Sequence, residues 1–399
     1  MRRERCGGCG SPDLNLFLDL GATPLADAFP ASPDEHEDRY PLQVAVCSSC
    51  WLVQLMEIVP DEVLFGDDYG FFSGASPSSV AYFSSYADDL LARFGEQARR
   101  LTVEIACNDG EMLQHFKAAG CRVLGLDPAR PAARYAQQHR GLNVWDEPFD
   151  RKLVAEILDD YGPAGLVIAN NVAAHVADLS QFFGGIADLL AGDGVAVVEV
   201  QNVADLLLGN QFDHVYHEHR YFFSLASLAT TAGRHGLVVD RVWRTQAQGG
   251  SLRVVLRRGA PRGERVAWWL RDPATYESMQ GRVGHLIDRL NDLFMAEDQA
   301  GRVMAGYGAS AKSTTLLHLL DASPDMLPYV VDTTPAKIGR VTPGTHIPII
   351  SPEQEAERGR AGTYLLLVRN YLPGVLRRER EFIDGGGRFI VPIPVPVIL

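Results

Sequence analysis

The segment His214-Val-Tyr-His-Glu-His219 gathers three of the chain's 11 histidines, with Tyr216 and Glu218 between them. Such side chains exchange protons near neutral pH, and a histidine value of about 6.5 keeps a neutral, basic fraction at pH 7. The segment reads as the place where a proton is moved. The competing reading is a buried polar cluster that braces a loop. That is an expensive packing solution, because each buried polar group needs a partner.

A second chemical signature stands near the start. Cys6-Gly-Gly-Cys9 and Cys47-Ser-Ser-Cys50 are two C-x2-C knuckles. Four thiolates in two tight turns give tetrahedral zinc and no open position, so the metal is structural. The stretch between them is rich in Pro and acids and builds little core of its own, so metal supplies folding energy. Disulfides are the other reading, disfavoured by the expected cytoplasmic location.

What must position these groups is a chain of 399 residues, enough for two or three domains. Apolar content of 46% and charge of 22% are ordinary for a globular protein. No apolar run reaches the roughly 18 residues of a membrane span. The start, MRRERCGGCG, lacks the apolar core of a signal peptide. A net charge of −13 opposes nucleic-acid binding. The expected partner is a small molecule, with neither nucleic acid nor membrane, and the chain a monomer or homodimer.

Three units are expected: a zinc-binding segment over 1–66, a doubly wound α/β domain over 67–271 with a leading helical bridge, and a linker helix with a Rossmann-like α/β domain over 272–399. In the bridge, Tyr69 to Gly74 is an aromatic loop that reads as packing or as a substrate lid. Ser76 and Pro77 open a helix, which Gly95 is expected to end. Leu101–Ala106, Cys121–Asp127, Leu166–Asn171 and Gly194–Val200 read as buried strands alternating with helices, hence a parallel sheet with its ligand at the carboxyl ends.

The first loop of that sheet, Ala106-Cys-Asn108-Asp109-Gly110, lacks the G-x-G-x-x-G of dinucleotide sites. Its added carboxylate repels a pyrophosphate and suits an amine or a sulfonium. Asp127 ends the next strand and is placed to accept ribose hydroxyls. Glu104, Ala106, Asn108, Asp109, Gly110 and Asp127 therefore point to S-adenosylmethionine (SAM), with Asn170, Asn171 and His175 near its methyl end. In the last third, Gly306-Tyr-Gly-Ala-Ser-Ala-Lys312 is a glycine-rich strand-to-helix turn that reads as an anion cradle, although it is no Walker loop. Two functional readings of that half stand: it grips substrate, or it is a scaffold or dimer surface.

The knuckles, Glu104-x3-Asn108-Asp109-Gly110, Asn171-x3-His175, Tyr216-His-Glu-His219, Gly249-Gly-Ser-Leu-Arg253, the 306–312 turn and Pro343-Gly-Thr-His346-Ile-Pro348 occur in that order. The chain thus resembles the SAM-dependent sugar C-methyltransferases that modify nucleotide-linked deoxy-keto-sugars in antibiotic pathways. The resemblance spans essentially the whole chain. It implies a class I SAM methyltransferase domain and methylation at the carbon α to the ketone of a dTDP-4-keto-sugar, through an enolate. It also implies His219 as base, with Tyr216 and Glu218 orienting it or holding substrate, and His175 as a second proton carrier. Tyr69, Phe71, Tyr221, Phe222, Lys312 and His346, with Lys337, are implied to line the substrate cleft. Phe71 stands where the family has a tyrosine, Tyr221-Phe222-Phe223-Ser224 where it often has Ser-Tyr-Phe-Ser, and Ala106 where it has glycine. A polyketide or aromatic acceptor is the main alternative. An NAD-dependent oxidoreductase using the 306–312 turn and a zinc-ribbon binding protein are the others.

Overall fold

The computed structural model describes residues 1–64, 72–260 and 266–399. Three sheets organise it. The first is antiparallel and has four strands: Leu14–Pro24, Arg39–Cys47, Val53–Leu55 and Tyr221–Phe222. Its last strand comes from the segment directly behind His219 and pairs Val53 with Phe222 and Gln54 with Tyr221. The zinc segment and the histidine loop are therefore one hydrogen-bonded unit.

The second sheet has seven strands, in the order Leu237–Thr245, Ser251–Arg258, Leu190–Gln201, Ala164–Asn170, Thr102–Ile105, Val123–Leu126, Val144–Trp145. The last five run parallel and the first two add an antiparallel edge. The central parallel strands are apolar almost without interruption because helices cover both faces. Leu90 and Phe116, from helices Pro77–Arg100 and Leu113–Ala118, pack on Leu166 and Ile168. Ile157, Ile186 and Leu228 pack on the other face, with Val103 and Leu124.

The helix that begins at Pro77 does not stop at Gly95. It bends at Phe94, where φ is −131° and ψ 26°, and resumes to Arg100. Buried Phe94 and Ala98 keep both halves on the sheet, so packing overrides glycine's helix-breaking tendency.

The third sheet is parallel with one antiparallel edge: Ile349–Ile350, Val330–Val331, Met304–Tyr307, Thr363–Leu366, Arg388–Val391, Val397–Ile398. The 27-residue helix Pro273–Gln299 leads into it. One apolar cluster joins Leu18, Leu42 and Val44 of the first sheet to Met279, Val283 and Leu290 of this helix and to Leu316 and Leu365 beyond it. Phe212 and Val215 of the histidine loop belong to the same cluster. The N-terminal segment thus builds its core from its neighbours' side chains. Among the described residues, no helix is long and apolar enough to cross a membrane.

Candidate active site

The four cysteine sulfurs lie within 4.8 Å of one another. The Cys6–Cys50 and Cys9–Cys47 separations are 3.5 and 3.6 Å. Four sulfurs about 2.3 Å from one ion stand nearly that far apart, so Cys6, Cys9, Cys47 and Cys50 fit tetrahedral zinc. Gly7 backs onto the phenol of Tyr221, where a Cβ would meet Oη at 2.5 Å.

At the carboxyl end of the central sheet, Asp127 accepts the Asn108 amide at 2.7 Å and the Ala129 amide at 2.8 Å. Burial pushes its carboxyl up to about 6. Gly110 has φ of +74°, and a Cβ there would meet Leu142 at 2.2 Å, so the tight loop requires glycine. Ala106 also lies in the left-handed region, at φ 55°, where glycine costs less.

Asp109 differs from its expected role. Its carboxylate accepts from Arg140 at 3.1 Å and from the Gly74 amide at 3.0 Å, while Asn108 Oδ1 accepts the Ser73 amide at 2.8 Å. It is thus committed to Arg140 and the bridge and does not stand as a lone partner for a cation. Glu104 and Asn170 supply what Asp109 does not. Glu104 Oε2 and Asn170 Oδ1 are buried acceptors without a hydrogen-bond partner among the described residues. Burial, and then Asp109 and Asp127, hold Glu104 far above the usual carboxylate range. Buried polar atoms of this kind call for partners, and SAM brings an ammonium and two ribose hydroxyls. Glu104, Asp127, Asn170 and the 106–110 loop are the residues that would hold it.

Asn171 follows in the left-handed conformation, its amide fixed on Glu199 O at 2.8 Å. The next loop delivers His175, whose ring lies 5.0 Å from that of His219. His219 Nδ1 is 2.7 Å from the His214 carbonyl, and its Nε2 is 2.9 Å from Tyr216 Oη. A carbonyl only accepts, so Nδ1 carries the proton and Nε2 accepts the Tyr216 hydroxyl. Burial, followed by the neighbouring His175 and Lys312, holds His219 well below the usual imidazole range. Burial lowers His175 to about 4. Both rings are neutral at pH 7, with the basic nitrogen of His219 already directed. His214 is wholly buried against Gln201 at 2.7 Å, and His217 lies under Tyr40.

Burial, and then the charge of Asp27, push Glu218 up to about 8. Lys312 comes from the helix Ala311–Leu319, whose Thr315 donates to Val215 O at 2.7 Å and whose Thr314 donates to Ala26 O at 3.0 Å. One helical turn separates Lys312 from Thr315, so both face the histidine loop. Burial lowers the Lys312 ammonium, and Asp213 and Asp27 act against that.

Other expectations are revised. Tyr221 is 1% exposed, accepts from Arg3 at 3.1 Å and donates to Ala177 O at 3.2 Å. Phe222 is buried edge-on to His219, with ring centroids 6.1 Å apart. These two residues brace the loop from the zinc sheet. His346 sits at φ 53° with Nε2 2.7 Å from Glu37, clasping the N-terminal segment. Lys337 donates to Ala309 O at 2.7 Å. The expected anion cradle is closed by the chain itself, since Asp332 accepts the Ala309 amide at 2.6 Å. Tyr69 and Phe71 lie outside the described residues.

Arg220 was not singled out from the sequence. It is 1% exposed, with donations to His175 O at 2.8 Å and Val59 O at 2.6 Å and an ion pair to Asp61 at 2.5 Å. It fixes the two histidine-bearing loops together. Its place after His219 was visible, but backbone partners leave no sequence pattern.

Three family profiles match in succession: "Putative zinc binding domain" over residues 6–65, "Methyltransferase domain" over 81–242, and "C-methyltransferase C-terminal domain" over 246–394. The C-methyltransferase NovU of Streptomyces niveus is 35% identical over 99% of this chain and 97% of its own. The ubiquinone biosynthesis O-methyltransferase of Rhodopseudomonas palustris (strain BisA53) is 28% identical over 25% of this chain and 39% of its own. The magnesium protoporphyrin IX methyltransferase of Synechocystis PCC 6803, solved with bound SAH, aligns over 48% of this chain and 91% of its own, at 17% identity and a TM-score of 0.38. A zinc segment, a SAM site and a C-terminal domain that braces the histidine loop thus occur together in a chain that matches a C-methyltransferase end to end, and the chain belongs to the family of zinc-bearing, SAM-dependent C-methyltransferases that its motifs resemble.

Proposed function

We propose that the chain methylates a nucleotide-linked (dTDP) 4-keto-deoxysugar at the carbon α to its ketone, through a base-generated enolate. One observation carries this reading: a neutral His219, its Nε2 on Tyr216 Oη at 2.9 Å, beside the loop that ends the cofactor-bearing strand. Bound SAM supplies an electrophilic methyl group. Carbon as acceptor needs a proton removed first, and an α-proton becomes acidic enough only when the enolate oxygen is stabilised.

His219 Nε2 takes that proton, and its Nδ1–H on the His214 carbonyl holds the ring in the accepting tautomer. Tyr216 gives up its bond to Nε2 and turns its hydroxyl to the substrate. Protonated Glu218 and the Lys312 ammonium provide a donor and a positive charge for the developing oxyanion. His175 holds the ring of His219 from the side.

The reading is tested by incubating the protein with SAM and a panel of dTDP-keto-sugars. The expected result is a sugar product one methyl group heavier, by mass spectrometry. Transfer to none of them, with transfer to a polyketide or phenolic acceptor, overturns the sugar assignment.

The raised Glu218 carboxyl gives a pH signature. Its ordinary value is 4.5 and its folded value about 8. Between these values the folded protein keeps a proton that the unfolded chain has released, so stability falls as pH rises. The contribution is complete below 4.5 and lost once pH passes about 8. Glu218→Gln cannot ionise. Between about pH 5 and about pH 8, its melting temperature should fall less than that of the wild type. Parallel melting curves across that range would refute the protonated assignment.

A further inference from the structure

A second buried polar network lies beside the cofactor site and outside the proton-moving cluster. Asn170, Glu199 and Arg253 form one row across three adjacent strands, each directly opposite the next. The Glu199 side chain is fully buried and accepts from Arg253 Nε at 2.9 Å. Tyr82, on the bridge helix, donates its hydroxyl to Glu199 and accepts from Arg253 Nη2 at 3.0 Å. The guanidinium lies over the Tyr86 ring, one turn further along. The same helix is tied at its start: the Ser73 and Gly74 amides, just before it, donate to Asn108 and Asp109 of the cofactor loop. The Glu199 carbonyl also fixes Asn171.

An ion pair taken out of water adds little stability over apolar packing of the same shape. Its directional bonds do fix how far along and at what angle a helix lies. We propose that Tyr82, Glu199 and Arg253 are positioning residues for cofactor binding: they lock the bridge helix to the sheet so that Ser73 and Gly74 reach the 106–110 loop. The proposal rests on the cofactor site and not on the identity of the methyl acceptor.

Titration calorimetry with S-adenosylhomocysteine tests it. Tyr82→Phe should bind about five- to tenfold more weakly, the effect of one lost hydrogen bond, with its melting temperature nearly unchanged. Asn108→Ala removes the acceptor of the Ser73 amide. Because Tyr82 acts through that contact as well as through Gly74 on Asp109, the double variant should lose less than the product of the two single losses. Glu199→Gln offers one oxygen to two donors and turns an amide N–H on the other, so it should also weaken binding, by at least as much as Tyr82→Phe, and gives a second readout of the same lock. Unchanged affinity in Tyr82→Phe or in Glu199→Gln, or fully multiplicative losses in the double variant, would each overturn the proposal.

Discussion

His219→Asn should lower kcat by about 10²- to 10⁴-fold, the usual contribution of a positioned general base. Asn keeps a polar group near the His214 carbonyl but offers no basic nitrogen to the substrate. Affinity for S-adenosylhomocysteine should stay within about twofold, because the described residues that pack on the His219 ring are not those that would hold the cofactor. Tyr216, His175, His214 and Phe222 surround the ring. A rate loss with retained affinity separates a missing base from a collapsed loop. Steady-state kinetics and calorimetry on one preparation provide both readouts. Wild-type turnover in this variant would remove His219 from the mechanism.

The second large effect concerns the metal. Structural zinc contributes about 10–16 kcal/mol of apparent binding energy in small zinc folds, and the N-terminal segment has no core without its neighbours. Cys47→Ser should release zinc, lower the melting temperature by well over about 5 °C, and reduce turnover to background. The loss of turnover follows from strand pairing. Val53–Leu55, just after Cys50, pairs with Tyr221–Phe222, just after His219. Leu55 also donates its amide to Arg220 O at 3.0 Å, and Arg220 holds the His175 loop. Loss of the knuckles therefore loosens both histidine loops, although no cysteine reaches them. Metal analysis, melting and turnover on the same variant check this chain of dependence. An active, stable, zinc-free variant would break it.

Local spacing carried part of this site into view from the sequence. The three-residue step from Tyr216 to His219 and the paired C-x2-C knuckles both survive folding as contacts. So does the placing of Asp127 across from the Asn108 loop, since the apolar runs around them specify adjacent parallel strands. The failures share one physical cause, pairing between distant segments. Nothing local reveals that Tyr221 and Phe222 close a sheet begun at Leu14. Asp109 read as a ligand for a cation because its partner Arg140 ends a helix three elements later. Arg220 and the Tyr82–Glu199–Arg253 row went unnoticed, since their meaning depends on burial against other parts of the chain. Gly95 read as a helix stop because propensity is local, whereas the packing of Phe94 and Ala98 is not.

The central claim is that the chain removes a proton from carbon before any methyl group moves. It is tested most directly without methyl transfer, by incubating the protein with S-adenosylhomocysteine and the accepted keto-sugar in D2O. NMR then follows deuterium entering at the carbon α to the ketone. Exchange should occur with the wild type and fall to the uncatalysed rate with His219→Asn. Exchange at equal rates in both, or none with a wild-type protein that methylates the same sugar, would contradict the account.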